Sequence, residues 1–216
     1  MAVAANSSRA TIGKTTAVVE LVIAYGLIEA ALWTEGAARS LWFWVAAAWI
    51  IGVNLYRYRS AREMGLELSG IRRSLWILVA ALVLAGVALA LSRLAGSLHP
   101  LHLRAGVWSI LLYIIWALEQ QFILQSFFFL RLELLVGSTW SVLVSALLFS
   151  LAHLPNPVLT VATFAGALAF CELFRRYRNL WILAVAHAIL GLALAAAVPV
   201  EVHRNMRVGI GYLTFR

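Results

Sequence analysis

Aspartate is absent from this 216-residue chain, cysteine occurs once, proline four times, and only 12% of the residues are charged. A soluble domain of this length needs a polar skin, and nine glutamates with 17 basic residues cannot supply one. The scarcity of charge therefore excludes an ordinary soluble enzyme. The lone Cys171 excludes an internal disulfide, has no metal-ligand spacing around it, and reads as a small core residue. No HExxH helix is present, which removes one zinc-protease template. No repeat of about 20–50 residues and no low-complexity tract interrupts the chain, so residues 1–216 read as a single integral membrane domain.

What is there is hydrocarbon. Hydrophobic residues make up 63% of the chain, and the mean hydropathy is +0.92. A spanning helix needs about 20 mostly apolar residues. Seven segments qualify: Thr15–Thr34, Leu41–Tyr56, Leu75–Leu94, Val107–Leu130, Trp140–Leu154, Val158–Phe174 and Leu180–Val198. The second, fifth and sixth are short. The fold expected is an all-α polytopic transmembrane helix bundle of about seven spans, six to eight. Arg57–Ser74, with five arginines, suits an interfacial loop or short surface helix. The first 14 residues are polar, and the run that follows is too long for a signal-peptide core and lacks a clear cleavage site.

A net charge of +8 in such a chain is not a nucleic-acid footprint; basic loop residues meet anionic lipid instead. Eleven basic residues fall on the side of the N-terminus and the loops 57–73, 131–137 and 175–178, among them Arg9, Arg59 and Arg131. Six fall on the other side, including Arg104 and Arg216. That asymmetry places the N-terminus in the cytoplasm and the C-terminus outside.

An ionisable side chain at mid-bilayer costs at least a few kcal/mol, so each one asks for a reason. Glu20 and Glu29 lie near the ends of the first span, within reach of the interface. Glu172 precedes Arg176 by one turn, which makes an i,i+4 ion pair. His99, His102 and His203 fall in a loop and the tail, and read as solvated. Three residues remain: Glu119 midway along the fourth span, His153 closing the fifth in SALLFSLAHLPNP, and His187 in the seventh. A lone intramembrane histidine more often makes a packing hydrogen bond. A glutamate and two histidines on three helices can converge inside a bundle.

Glu119 opens the polar run Glu119-Gln120-Gln121. Ile115, Ile123 and Ser126 share its face at helical spacing, while Gln121 and Gln125 share another. Gln120 lies about 100° round the helix, so the three polar groups cannot all face one partner. Phe149 and Ser150 fall on the face of His153, and Leu-Pro-Asn-Pro ends that helix. A carboxylate and a histidine can hold a water, take its proton and deliver it to a leaving amine. A second histidine can stabilise an oxyanion. Two histidines and a glutamate also suit zinc with an open fourth position, so the residues leave a metal-free site and a zinc site both open.

These motifs resemble the CPBP intramembrane protease family, which includes the CAAX prenyl endopeptidases and bacteriocin-processing membrane proteins. The stretches that carry the resemblance are EQQFIL (Glu119–Leu124), FSLAHLPNP (Phe149–Pro157) and AHAILG (Ala186–Gly191), and it covers about residues 107–192 as a catalytic core. It implies that Glu119 activates water with His153 as its partner and that His187 stabilises the oxyanion, with Gln120, Phe149 and Asn156 as supporting residues. Any metal would fall to Glu119, His153 and His187; the cofactor is none or zinc. Motif 1 is a variant. Gln120 stands where the family has a second glutamate, Leu124 where it has an arginine, and Gly191 where it has Asn or Asp. Replacing an acid and a base together leaves no uncompensated charge.

Three function classes fit, in descending order. The first is an intramembrane endopeptidase cutting a membrane-anchored protein or peptide with Glu/His-activated water. The second is a catalytically silent relative acting as a binding or immunity-type partner. The third is a transporter, channel or scaffold. The expected setting is the lipid bilayer of a bacterial inner membrane, with no nucleic-acid partner.

Overall fold

The structure, a computed structural model, describes residues 13–57, 60–101 and 106–215. The polar N-terminal stretch through residue 12, together with Arg59, His102, Arg104 and Arg216, lies outside the described residues. Among the described residues there is no strand, and the chain is an all-α polytopic bundle.

The elements run α1 (Lys14–Leu32), α2 (Gly36–Tyr56), the one-turn α3 (Ile71–Ser74), α4 (Trp76–Leu94), α5 (Val107–Gln121), a π-helical stretch (Phe122–Phe129), α6 (Leu130–Val136) and α7 (Ser138–Leu151). They continue through α8 (Pro157–Tyr177), α9 (Leu180–Ala197), α10 (Val200–His203), a 3-10 turn (Arg204–Met206) and α11 (Ile210–Leu213). Six of these segments are long and apolar enough to cross a membrane. The fifth apolar segment, α7, has 14 residues and rises about 21 Å, short of a hydrocarbon core of about 30 Å. The second and sixth segments, expected to be short, are full 21-residue helices.

Helix starts follow from local chemistry. Asn156 and Asn179 cap α8 and α9, their side-chain oxygens accepting from the N–H groups of Leu159 (3.1 Å) and Ile182 (3.0 Å). Pro157 takes the first turn of α8, where its missing N–H costs nothing. α9 lies between α4 and α5, α7 pairs with α8, and α1 lies against α2 and α6. Leu124, Phe129, Phe174, Leu180 and Leu183 form the central apolar cluster.

Two expectations give way here. Residues 131–137 are not a loop: the helix continues to Val136, and Arg131 is buried at 3% exposure. Arg131 Nε donates to Glu20 Oε2 at 2.8 Å, Arg57 Nε donates to Glu20 Oε1 at 3.1 Å, and Arg131 Nη1 donates to Asn54 Oδ1 and the Phe127 carbonyl. Glu20 therefore does not reach for the interface; a buried guanidinium neutralises it inside the bundle. Arg131 drops out of the basic-loop count. The 60–74 segment is a loop ending in the one-turn α3, as expected, and it is also tied into the bundle. Met64 is buried, its carbonyl accepts from Ser126 Oγ (2.7 Å), and the Gly65 carbonyl accepts from Leu180 N–H (2.8 Å).

The smaller ion pairs and the tail complete the frame. Glu172 pairs with Arg175 (2.7 Å) and Arg176, as the one-turn spacing predicts. Glu29 accepts from the Trp33 indole at 2.9 Å, and Cys171 is a buried free thiol. His203 is buried rather than solvated: its Nδ1 accepts from Met206 N–H at 3.0 Å, and its ring stacks on His99. Burial first, and then neighbouring His99, holds the His203 imidazole below the ordinary histidine range, which keeps the lone pair that Met206 needs. Gly209, at φ +57°, sits where a Cβ would strike the Leu32 carbonyl, and its N–H donates to the Leu154 carbonyl at 2.8 Å. The C-terminal segment is thereby fastened beside the His153 turn.

Candidate active site

Glu119, Gln120, Phe149 and His153 line one cavity of about 230 Å³. Its remaining wall is apolar, with Tyr25, Phe43, Ile50, Trp116, Phe128 and Leu148 prominent. The α5 helix brings Glu119 and Gln120 to it from one side, and the turn after α7 brings His153 from the other. A larger, more polar recess of about 790 Å³ adjoins it and shares Ala31, Leu32, Phe43, Trp116 and Val208; Glu35, Arg39 and Arg207 line its outer part.

His153 lies just beyond α7 rather than within it. Pro155 disfavours helical geometry at Leu154, and the chain tightens through His153 N–H to the Ser150 carbonyl (2.9 Å) and Leu154 N–H to the Leu151 carbonyl (3.1 Å). His153 Nδ1 contacts the Phe149 carbonyl at 2.7 Å, and the Phe149 ring lies 4.8 Å from the imidazole. A carbonyl only accepts, so Nδ1 carries the proton and Nε2 keeps a lone pair. A neutral His153 therefore has its free lone pair at Nε2.

His187 comes from α9 and, unlike Glu119 and His153, is not part of the cavity wall. Its ring stacks on Phe170 at 5.8 Å. Its Nδ1 is bonded to Gln121 Nε2 at 3.0 Å, and Gln121 Oε1 accepts from Gln125 Nε2 at 3.3 Å. The shared face of Gln121 and Gln125 is as the spacing predicts, but the predicted Glu119 face is only half kept. Ile123 lines the cavity, whereas Ser126 turns away to the Met64 carbonyl. Ser126 lies in the π-helical stretch, whose wider turn departs from the 3.6-residue register on which that face was drawn.

Asn156 takes no part in the cavity wall. Its Oδ1 caps α8, and its Nδ2 donates to the carbonyls of His203 and Arg207, each at 2.9 Å. It ties the tail to the turn that carries His153. Among the described residues, no group of three or more His, Cys, Asp or Glu side chains is arranged to hold a metal ion. The Glu119, His153 and His187 set therefore does not fit zinc, and no step below runs through a metal.

Two residues outside the expected site set bear on it. Gln121 is one, as its bond to His187 shows. Tyr113 is the other: a Cβ at Gly191 would fall 2.2 Å from its hydroxyl oxygen and 3.1 Å from Cζ. The tyrosine hydroxyl fills the place a side chain at 191 would take, one turn along α9 from His187. Gly191→Ala is expected to cost about 1–3 kcal/mol by overpacking α5 against α9. Adding Tyr113→Phe should recover part of that loss. Unfolding of the three variants in detergent measures both values, and no recovery in the double variant would place the clash elsewhere.

The comparison with known families follows this geometry. Residues 102–193 match the family described as Type II CAAX prenyl endopeptidase Rce1-like. That segment, somewhat under half of the chain, is similar to the family. Neither the curated proteins nor the solved structures yield a match. Glu119, Gln121, His153 and His187 all fall inside the CAAX-protease-like segment, as do Tyr113 and Gly191. The Glu20–Arg57 half of the buried ion cluster and the fastened tail lie outside it.

Proposed function

We propose that the protein is an intramembrane endopeptidase that hydrolyses a peptide bond in a membrane-anchored protein or peptide. The family match supports a protease in general terms. The observation that carries the finer reading is that Glu119 and His153 line one apolar cavity while His153 Nδ1 is committed to the Phe149 carbonyl. A water held between the carboxylate and His153 Nε2 gives up its proton as its oxygen attacks the scissile carbonyl carbon. Oxyanion stabilisation falls to His187. When the carbon–nitrogen bond breaks, the carboxyl group returns the proton to the leaving amine, leaving one new carboxyl and one new amino terminus. The apolar cavity takes the membrane-embedded part of the substrate, and the adjoining recess with Arg39 and Arg207 takes its polar flank. The proposed setting is a bacterial inner membrane with the N-terminus in the cytoplasm.

A second reading, a silent relative that binds without cutting, draws on Gln120, Leu124 and Gly191, where the motif departs from the family pattern. Leu124 is buried at 2% exposure in the apolar cluster, which makes the site neutral around Glu119. Comparative membrane proteomics of a deletion strain complemented with wild-type or Glu119→Ala protein separates the two. Proteolysis predicts the same proteins retaining an uncut terminus in the deletion and in Glu119→Ala. Full processing in the Glu119→Ala strain would favour the silent reading.

A further inference from the structure

We propose that Gln121, and not the Gln120 that faces the cavity beside Glu119, is a positioning residue that fixes the protonation pattern of His187. This rests on the proteolytic reading above. Gln121 and Gln125 are both fully buried, in the last turn of α5 and the π-helical stretch that follows. Gln121 Oε1 accepts from Gln125 Nε2, which leaves the Gln121 amide nitrogen facing His187 Nδ1 at 3.0 Å. An amide nitrogen only donates, so His187 Nδ1 supplies the lone pair and Nε2 carries the proton. His187 is then a neutral hydrogen-bond donor at Nε2, the form an oxyanion needs. His153 keeps the opposite tautomer. One imidazole keeps its lone pair at Nε2 and the other donates a hydrogen bond from Nε2, each set by a partner on its Nδ1.

The choice of an amide matters. A carboxylate at position 121 would accept from Nδ1–H and put the proton on the wrong nitrogen. A glutamine does not ionise, so its own donor and acceptor groups do not change with pH. The Phe170 ring stacked on the imidazole holds its plane. The π-helical stretch keeps Gln125 bonded to Gln121 while turning the rest of the helix away.

The test uses the full-length protein in bilayers with 15N-labelled histidine, wild type against Gln121→Met and Gln121→Glu, with His187→Ala assigning the resonances. The wild type is expected to show His187 protonated at Nε2 and bare at Nδ1. Gln121→Met should lose that single tautomer, and Gln121→Glu should move a proton onto Nδ1. With a cleavable substrate, Gln121→Met should lower kcat at least about tenfold and leave KM nearly unchanged. It should add no further loss in the His187→Ala background. A wild-type His187 protonated at Nδ1 would overturn the proposal, and so would an additive loss in the double variant. If the wild type cleaves nothing, the proteolytic reading fails while the nitrogen spectrum still decides the tautomer.

Discussion

Glu119→Gln is expected to lower the rate of peptide cleavage by about 10²–10⁴-fold, with the protein still inserting and accumulating normally. Glutamine keeps the size and hydrogen-bonding capacity of the side chain but cannot take a proton from water. The polar lining and packing of the cavity therefore survive while the base does not. His153→Gln should fall by a similar factor, because His153 lines the same cavity and, with Nδ1 held by the Phe149 carbonyl, has Nε2 left as its acceptor. Quantifying substrate and product by mass spectrometry at matched protein levels measures both. Near-wild-type cleavage by either variant would remove that residue from the chemistry.

The largest stability effect is expected at the opposite end of the same long helix. Arg131→Met alone, or Glu20→Leu alone, should destabilise the folded protein by about 3–5 kcal/mol, because each strands a buried charge. Arg131 lies under 5% exposed, bonded to Glu20, Asn54 and the Phe127 carbonyl, with its guanidinium 3.6 Å over the Phe127 ring. The double variant should be much closer to wild type than either single one, since no uncompensated charge remains at the core of the cluster. Arg57 loses its partner as well, but it is partly exposed and reaches water. Reversible unfolding in mixed micelles gives the three values. Additive losses would mean that the pair is not coupled.

The contrast between Glu20 and Glu119 shows what the sequence makes legible. Both are glutamates in apolar runs; position along the run put Glu20 within reach of the interface and Glu119 at mid-span, but Glu20 is buried against Arg131 while Glu119 lines the cavity. The partner of Glu20 was not visible. Arg131 stands beside LELLV at the end of an apolar run, where a loop and a buried helix turn have the same composition. Only a tertiary contact across 111 residues distinguishes them. The Glu172–Arg176 pair was readable because it is local, one helical turn apart.

The same limit explains the site. Glu119 and His153 were recoverable from residue type and depth, and the structure places both on one cavity. Ser126 was misplaced because the face was drawn at 3.6 residues per turn through a stretch that winds as a π-helix. No residue in FILQSFFF announces that change. Gln121 was seen to share a face with Gln125, yet its partner on α9 depends on how two helices dock. Tyr113 became relevant only through the absence of a side chain at Gly191, a relation between helices rather than a motif.

The central claim, that Glu119 and His153 deliver water to a peptide bond, is most directly tested by single-turnover cleavage of a membrane-anchored substrate in ¹⁸O-labelled water. The account predicts that wild-type protein in proteoliposomes yields a new carboxyl terminus carrying solvent oxygen. It also predicts that Glu119→Gln and His153→Gln, reconstituted at the same density, yield no product over the same time. Equal product from the variants, or a wild-type product without solvent oxygen, would contradict it.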